Sequence, residues 1–234
     1  MDNNIIKSLI EKKFSCVKGK QLIKTWGYFD IDDWDKFSET WNNLKQDKYM
    51  ADGGLYRYRR YSEYKYNSDL LNLKLLPHVP YIQSSNINSL NGDIERHYEP
   101  LEKKMTNTLF FNEYIKWLGG IFSNTSKHKI WKIKIFANRI TSGINAGKPT
   151  PEGLHRDGDD FTSVLLVNKY NVSGGMSKIA DLNENIIDNF NMQEKCDLCL
   201  LYDPCVKHGV SEIYSINNKK KSFRDVLVVM FEKI

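Results

Sequence analysis

The sequence lacks a hydrophobic run long enough to cross a membrane, because none of its apolar stretches approaches the roughly 18 residues that a spanning helix needs. Residues 1–7 carry an acid and amides where a secretory signal would carry positive charge followed by a long apolar region. These absences exclude a membrane-spanning helix and favour a cytoplasmic protein.

Cysteine is scarce, with four residues in the chain. Cys196 and Cys199 have the spacing of a metal or redox motif, but they lie in an apolar, strand-like run. No second cysteine pair or nearby histidine completes a zinc site. We interpret both as core residues, and the sequence shows no partner for Cys16 or Cys205.

The sequence also lacks a concentrated block of one charge. Its 34 lysines and arginines and 29 acids are spread along the chain and leave a formal net charge of +5. Proteins that bind polyanions usually concentrate their basic residues on one face, so the pattern does not favour a nucleic-acid partner. A chain of 234 residues with 41% hydrophobic content can bury one sizeable core, which predicts a single domain over residues 1–234.

The two halves of the chain differ in periodicity. Apolar residues recur every three or four positions over residues 4–24 and about 105–118, which predicts helices there. From Trp131 onward, short alternating runs are separated by turn residues without long helices between them, which favours an antiparallel barrel or sandwich. We therefore expect a mainly β protein with flanking helices, in which a helix-rich part (1–130) packs on a β core (131–234).

A histidine and a carboxylate stand two residues apart just before an apolar run, in the segment Leu154-His155-Arg156-Asp157-Gly158. Side chains on a strand repeat with period two, so His155 and Asp157 would point to the same side and could reach one metal ion. His208, about fifty residues further on, could supply a third ligand. Two histidines and one carboxylate with the opposite positions open suit ferrous iron.

Arg224 begins the last strand-like run, which is otherwise apolar over residues 223–231. Its side chain would point either to the surface or into the mouth of the barrel. An inward guanidinium suits a carboxylate held in a pocket of low dielectric constant. Taken singly, these residues also allow an ordinary alternative, in which His155 and Asp157 form a surface ion pair and His208 is a core histidine.

Tyrosine and arginine alternate over residues 56–61, a strand-like pattern that places Arg57, Arg59 and Tyr61 on one face and Tyr56, Tyr58 and Arg60 on the other. Such a strand could bind single-stranded nucleic acid, hold a small carboxylate, or form ion pairs on a solvated face. The pattern leaves these three alternatives open.

Taken together, the motifs resemble those of the iron(II)- and 2-oxoglutarate-dependent dioxygenases. More narrowly, residues 131–234 resemble the bacterial amino-acid hydroxylase family that includes L-isoleucine 4-hydroxylase, and residues 56–61 and 94–101 do so more loosely. The motifs that carry this resemblance are Pro151-Glu152-Gly153-Leu154-His155-Arg156-Asp157-Gly158-Asp159-Asp160-Phe161, Asn171-Val172-Ser173-Gly174-Gly175-Met176-Ser177, Lys207-His208-Gly209-Val210 and Arg224-Asp225-Val226-Leu227-Val228-Val229.

The resemblance implies a double-stranded β-helix core, also called a jelly roll and similar to the cupins. It implies that His155, Asp157 and His208 ligate Fe(II), that Arg224 pairs with the distal carboxylate of 2-oxoglutarate, and that O2 is the oxidant. The implied reaction hydroxylates an unactivated C–H bond of a free L-amino acid and releases succinate and CO2. Iron halogenases of this superfamily have a small residue in the position of Asp157, so its carboxylate favours hydroxylation.

An amino-acid substrate would need a cation for its carboxylate and an anion for its ammonium group. Arg60, Arg59 and Arg139 are candidates for the first role, and Glu152 and Asp160 for the second. Two further functions remain open: hydroxylation of a protein, a nucleobase or a carrier-bound amino acid, and metal-dependent ligand binding by a jelly roll that does not turn over.

Overall fold

The computed structural model of the protein describes residues 1–27, 29–87 and 92–234. Its α-helices are α1 (Asp2–Lys12), α2 (Gly19–Thr25), α3 (Ile31–Glu39), α4 (Lys103–Thr106) and α5 (Leu109–Ser126). Its strands are β1 (Phe14–Val17), β2 (Lys45–Gln46), β3 (Arg57–Asn67), β4 (Asn72–Leu75), β5 (Ile130–Thr141), β6 (Phe161–Tyr170), β7 (Val172–Gly174), β8 (Met176–Ala180), β9 (Ile186–Asn191), β10 (Leu198–Tyr202), β11 (Lys207–Val210), β12 (Ile213–Ser215) and β13 (Phe223–Lys233).

The strands form one large antiparallel sheet and two smaller ones. The large sheet has the order β1-β10-β6-β13-β5-β3-β2, with β4 paired to β3. The smaller sheets are β11-β8-β9 and β12-β7. Along the chain, β5 and β6 of the large sheet are followed by β7, β8 and β9 of the smaller sheets, then by β10 of the large sheet, by β11 and β12, and finally by β13. This passage back and forth between two sheets is the connectivity of a double-stranded β-helix.

Side chains alternate between the two faces of the large sheet, as its period of two requires. On the outer face, Phe122 of α5 stacks on Phe161 at 4.6 Å and meets the edge of Phe231 at 4.9 Å. One hydrophobic cluster joins these rings to Ile5 and Phe37 of the N-terminal helices. The helices therefore cover the outer face and leave the inner face to form a cavity with the smaller sheets.

The predicted helix over residues 4–24 is interrupted. The chain leaves α1 at Lys13, which has a left-handed φ of 71°, and then enters β1. Pairing of β1 with the edge of β10 overrides the local helical periodicity. The helix predicted at about 105–118 is two helices, α4 and α5, and the second continues to Ser126.

The same strand pairing corrects the prediction for Cys16. Cys16 lies directly opposite Cys199 in the β1–β10 pair, and the two form a disulfide, whereas Cys196 is a buried free thiol. No local pattern signals this pair, because its members are 183 positions apart. None of the helices in the described parts of the chain is long and apolar enough to cross a membrane.

Candidate metal centre

The three predicted metal ligands lie together at one end of the cavity. His155 and His208 face each other in an antiparallel bridge, in which each backbone N–H donates to the other residue's carbonyl at 2.9 Å. The Nε2 atom of each histidine is 3.7 Å from a carboxylate oxygen of Asp157. All three ligand atoms lie within 4.8 Å of one another, a separation that one ion can bridge.

Several neighbours orient these ligands. The carbonyl of Gly153 lies 3.1 Å from His155 Nδ1 and accepts its proton, which leaves Nε2 free to bind a metal. Thr162 donates to Asp157 Oδ2 at 2.7 Å, so this oxygen is held while Oδ1 stays available. The buried carboxylate of Asp203 accepts hydrogen bonds from the backbone N–H groups of Asp157 and Gly158 at 2.8 and 2.9 Å.

The protonation states of the site favour a cation. Burial lowers the pKa of His208 to about 4, so this imidazole is neutral at pH 7, as a metal ligand must be. Burial also acts to lower the pKa of His155, but the hydrogen bond and charge of Asp157 outweigh it and raise that pKa to about 9. Burial alone would raise the pKa of Asp157, yet the two histidines hold it well below its usual range. Fe(II) would replace the proton on His155.

The cavity beside the triad has a volume of about 140 Å³ and a cationic wall. Five arginines line it, against two acids, Glu152 and Asp157. The five are Arg57, Arg59, Arg96, Arg156 and Arg224. Apolar side chains of β6 and β13, including Val164, Val226 and Val228, form the rest of its floor. Anionic ligands are therefore expected there.

Arg224 is buried, and no acid among the residues that the structure describes forms an ion pair with it. Its side chain is 2% exposed, its Nη2 contacts Met192 Sδ at 3.4 Å, and within the described ranges its Nε has no hydrogen-bond acceptor. Burial lowers its pKa to about 10, which still leaves the guanidinium charged at neutral pH. A buried, unpaired charge is costly, so the site fits a ligand carboxylate that compensates it.

A comparison with protein-family models matches residues 38–230 to the family described as 2OG-Fe dioxygenase. The protein belongs to the 2OG-Fe dioxygenase family. Its cofactor is Fe(II), and its cosubstrates are 2-oxoglutarate and O2. The two-histidine, one-carboxylate donor set and the unpaired Arg224 agree with these requirements.

Solved structures show the same fold over the full length of the dioxygenase. A bsmA homologue from Methylobium petroleophilum is 27% identical, with a TM-score of 0.91 over 99% of this chain and 93% of that one. IDO from Bacillus thuringiensis is 17% identical, with a TM-score of 0.81 over 100% and 96%. A prolyl hydroxylase from Trichoplax adhaerens, in complex with a peptide fragment, is 11% identical, with a TM-score of 0.57 over 99% and 89%.

These likenesses confirm the double-stranded β-helix and the flanking helices predicted from the sequence. A search of curated proteins found no match. The narrower resemblance to amino-acid hydroxylases of the L-isoleucine 4-hydroxylase type stays a prediction.

Three of the predicted substrate residues of the dioxygenase lie outside the cavity. Arg60 pairs with Glu102 at 3.1 Å and donates to the carbonyl of Pro100 at 2.9 Å. Arg139 makes two hydrogen bonds of 2.7 Å to Asp225. Arg60 and Arg139 occupy the outer faces of β3 and β5, and their charges are already compensated there.

Asp160 is the third of these residues. It pairs with Lys233 Nζ at 3.0 Å and accepts from the backbone N–H of Lys233 at 2.8 Å, so it fixes the end of β13. Glu152, in contrast, lines the cavity, with its carboxylate 3.8 Å from His155 Nε2. Of the five substrate residues predicted, Glu152 and Arg59 line the cavity.

Sequence reasoning missed most of the cationic wall. The alternation over residues 56–61 correctly separates Arg57 and Arg59 from Arg60, but it does not say which face is inward. That choice follows from pairing with β5, which puts Arg59 in register with Asn138, another cavity residue. Arg96 enters through the isolated bridge between Tyr81 and Arg96, a contact that no local pattern signals.

Proposed function

We propose that the dioxygenase hydroxylates an unactivated C–H bond of a free L-amino acid. In this proposal His155, Asp157 and His208 hold Fe(II), and Arg224 pairs with the distal carboxylate of 2-oxoglutarate. The substrate, 2-oxoglutarate and O2 are converted to hydroxylated substrate, succinate and CO2. The observation that carries the proposal is the small cavity of about 140 Å³ in which an excess of arginine faces the triad.

The volume of the cavity favours a small substrate. Pockets for drug-sized ligands have volumes of roughly 300–1,000 Å³, so this cavity suits a compact molecule with few non-hydrogen atoms. A zwitterionic amino acid would find cations for its carboxylate on the arginine wall and an anion for its ammonium group in Glu152. Asp160, Arg60 and Arg139 have no part in this proposal because their partners lie on the outer face.

When bound, the iron supplies the oxidation of the C–H bond, coupled to decarboxylation of 2-oxoglutarate. The residues of the chain fix the metal ligands, orient the cosubstrate and exclude water. Thr162 and Gly153 fix the ligand atoms of Asp157 and His155 before the ion arrives. Arg224 orients the cosubstrate, and the valines of the floor exclude water from the carbon that reacts.

The proposal is tested by loading the protein with Fe(II) anaerobically and then adding O2, 2-oxoglutarate and each of the twenty L-amino acids. We expect at least one amino acid to raise succinate formation and to gain the mass of one oxygen atom. If no amino acid raises succinate formation above the rate without added substrate, the proposal of a free amino-acid substrate is wrong. A polymer or a carrier-bound amino acid is then the favoured substrate. If no succinate forms at all, the protein would be a binding module.

A further inference from the structure

Two arginines from the N-terminal part of the chain, the buried Arg96 and the largely buried Arg59, line the cavity with incompletely compensated charges. Resting on the proposed function, we infer that Arg59 and Arg96 form the subsite that binds the carboxylate of the amino-acid substrate. They are distinct from Arg224, which serves the cosubstrate, and from Arg60 and Arg139, which pair with acids on the outer faces of β3 and β5.

Arg96 is the less compensated of the two. It is 3% exposed and lines the cavity. Its Nη2 lies 3.5 Å from Gln83 Oε1, at the limit of a hydrogen bond, and its Nε has no acceptor among the residues that the structure describes. No acid in that part of the chain forms an ion pair with it. A guanidinium in this setting needs an anion, and a carboxylate matches its fork.

Arg59 shares its one acid with a neighbour. The buried carboxylate of Asp47 accepts from Arg57 Nε at 2.7 Å, and the same oxygen lies 3.1 Å from Arg59 Nε. One negative charge therefore faces two positive ones. Although Arg59 Nε lies close to Asp47, it makes no hydrogen bond within the described residues, so the guanidinium keeps donors for a ligand. Its side chain is only 11% exposed.

Aromatic rings hold the two guanidiniums on the same wall. Arg96 stacks over Tyr81 at 4.6 Å, and Arg59 lies 5.4 Å from the ring of Phe136. Tyr81 and Phe136 pack edge to face at 4.9 Å, so the two arginines flank one aromatic pair. Stacking of this kind fixes a guanidinium plane without using its hydrogen-bond donors.

The subsite is tied to the metal centre and separated from Arg224. Gln83, which approaches Arg96 through Oε1, donates from Nε2 to the carbonyl of Asp157 at 2.7 Å. In contrast, β3 and β13 lie on opposite sides of β5, two strand spacings or about 10 Å apart. Arg59 and Arg224 are also offset by two residues along these strands, because Arg59 is in register with Asn138 and Arg224 with Ile140. The cavity thus offers one cationic position for the cosubstrate and a second one for a substrate carboxylate.

The test measures how each protein discriminates a carboxylate from its neutral amide. The iron- and 2-oxoglutarate-loaded protein is kept anaerobic, binding of the twenty L-amino acids is measured, and the tightest binder is compared with its primary amide. In the wild type we expect the acid to bind roughly 10–100-fold more tightly, as hydrogen bonds to charged groups imply. In Arg96→Gln and Arg59→Gln the ratio should fall to within about threefold, while Arg96→Lys should keep part of it.

Arg60→Gln is the matched control, because Arg60 lies on the outer face of the same strand. It should retain the wild-type ratio. A ratio that persists in folded Arg96→Gln would overturn the inference, as would a wild type that binds none of the twenty amino acids. The proposed function fails separately: if an amino acid binds with this discrimination but gains no oxygen, the subsite stands and the reaction is wrong.

Discussion

The two faces of β13 bury side chains equally well but differ in how their charges are compensated. On the outer face, Asp225 is paired with Arg139, and Val229 and Phe231 belong to the hydrophobic cluster under α5. On the inner face, one residue before Asp225, the equally buried Arg224 forms no ion pair with any acid in the described parts of the chain. The buried charge on the outer face is therefore compensated by the chain itself, whereas the buried charge on the inner face requires a ligand to compensate it.

The two faces of β3 differ in charge compensation in the same way. Arg60 on the outer face of β3 has Glu102 to itself, whereas Arg59 on the inner face shares Asp47 with Arg57. Uncompensated buried charge is costly in the empty protein and useful only when an anion binds. The difference between the faces therefore separates the residues that stabilise the fold from those that serve the reaction.

The largest effect is expected from His208→Ala at the inner end of the cavity. Mutation of a residue that only hydrogen-bonds a metal ligand typically lowers metal affinity or activity by about 10–100-fold. Loss of the ligand itself should therefore lower succinate formation by more than about 100-fold. His97→Ala is the control, because the side chain of His97 is 65% exposed and pairs with Glu95 instead of a residue of the triad. Equal turnover by His208→Ala and wild type would contradict the proposed ligand set.

The outer face should respond in stability instead of turnover. Phe122 is fully buried between Phe161 and Phe231, so Phe122→Ala should lower the free energy of unfolding by about 3–5 kcal/mol. Urea denaturation measures this loss, and iron titration at low temperature should show unchanged affinity in the folded fraction. Phe122→Leu should lose much less stability. A large loss of iron affinity in Phe122→Leu would show that the two faces are coupled.

Arg224→Lys tests the inner face through its charge geometry. A lysine keeps the charge but not the planar fork, so the KM for 2-oxoglutarate should rise by about 10–100-fold, with a smaller change in kcat. Arg139→Lys, at the outer face of the neighbouring strand, should leave this KM unchanged while weakening its pair with Asp225. An unchanged KM in Arg224→Lys would place the cosubstrate carboxylate elsewhere.

Much of the metal centre could be predicted from the sequence because its determinants are local or ordered along the chain. His155 and Asp157 are two residues apart, and His208 and Arg224 follow on later strands in the expected order. The β core was predicted for the same reason, since alternation and turns are local signals. The ligand roles themselves stay predictions until the variants are measured.

The substrate wall could not be predicted because it depends on contacts between distant segments. The phase of β3 decides between Arg59 and Arg60, and pairing with β5 fixes that phase. Arg96 is placed beside the cavity by its bridge to Tyr81, 15 residues away in the sequence. The break in the predicted helix over residues 4–24 has the same cause, since β1 exists only because β10 offers it an edge.

Thr162 and Ser163 are adjacent residues of β6 whose side chains face opposite sides of the sheet. Thr162 donates to Asp157 at the metal centre, whereas Ser163 bonds Tyr114 of α5 at 2.6 Å, and both are fully buried. Thr162→Val removes one hydroxyl from the inner face and should weaken Fe(II) binding about tenfold with little loss of stability. Ser163→Ala should cost about 1 kcal/mol of stability and leave Fe(II) binding unchanged.

Iron titration and thermal unfolding of the two variants separate these effects. If both variants lose stability and neither loses iron affinity, the hydroxyl of Thr162 is only a packing group, and the free Oδ1 of Asp157 does not depend on it. If Ser163→Ala also loses iron affinity, the sheet transmits changes from one face to the other. If Thr162→Val loses only iron affinity and Ser163→Ala loses only stability, the two faces of β6 have separate roles. The inner face then supports iron binding and the outer face supports the fold.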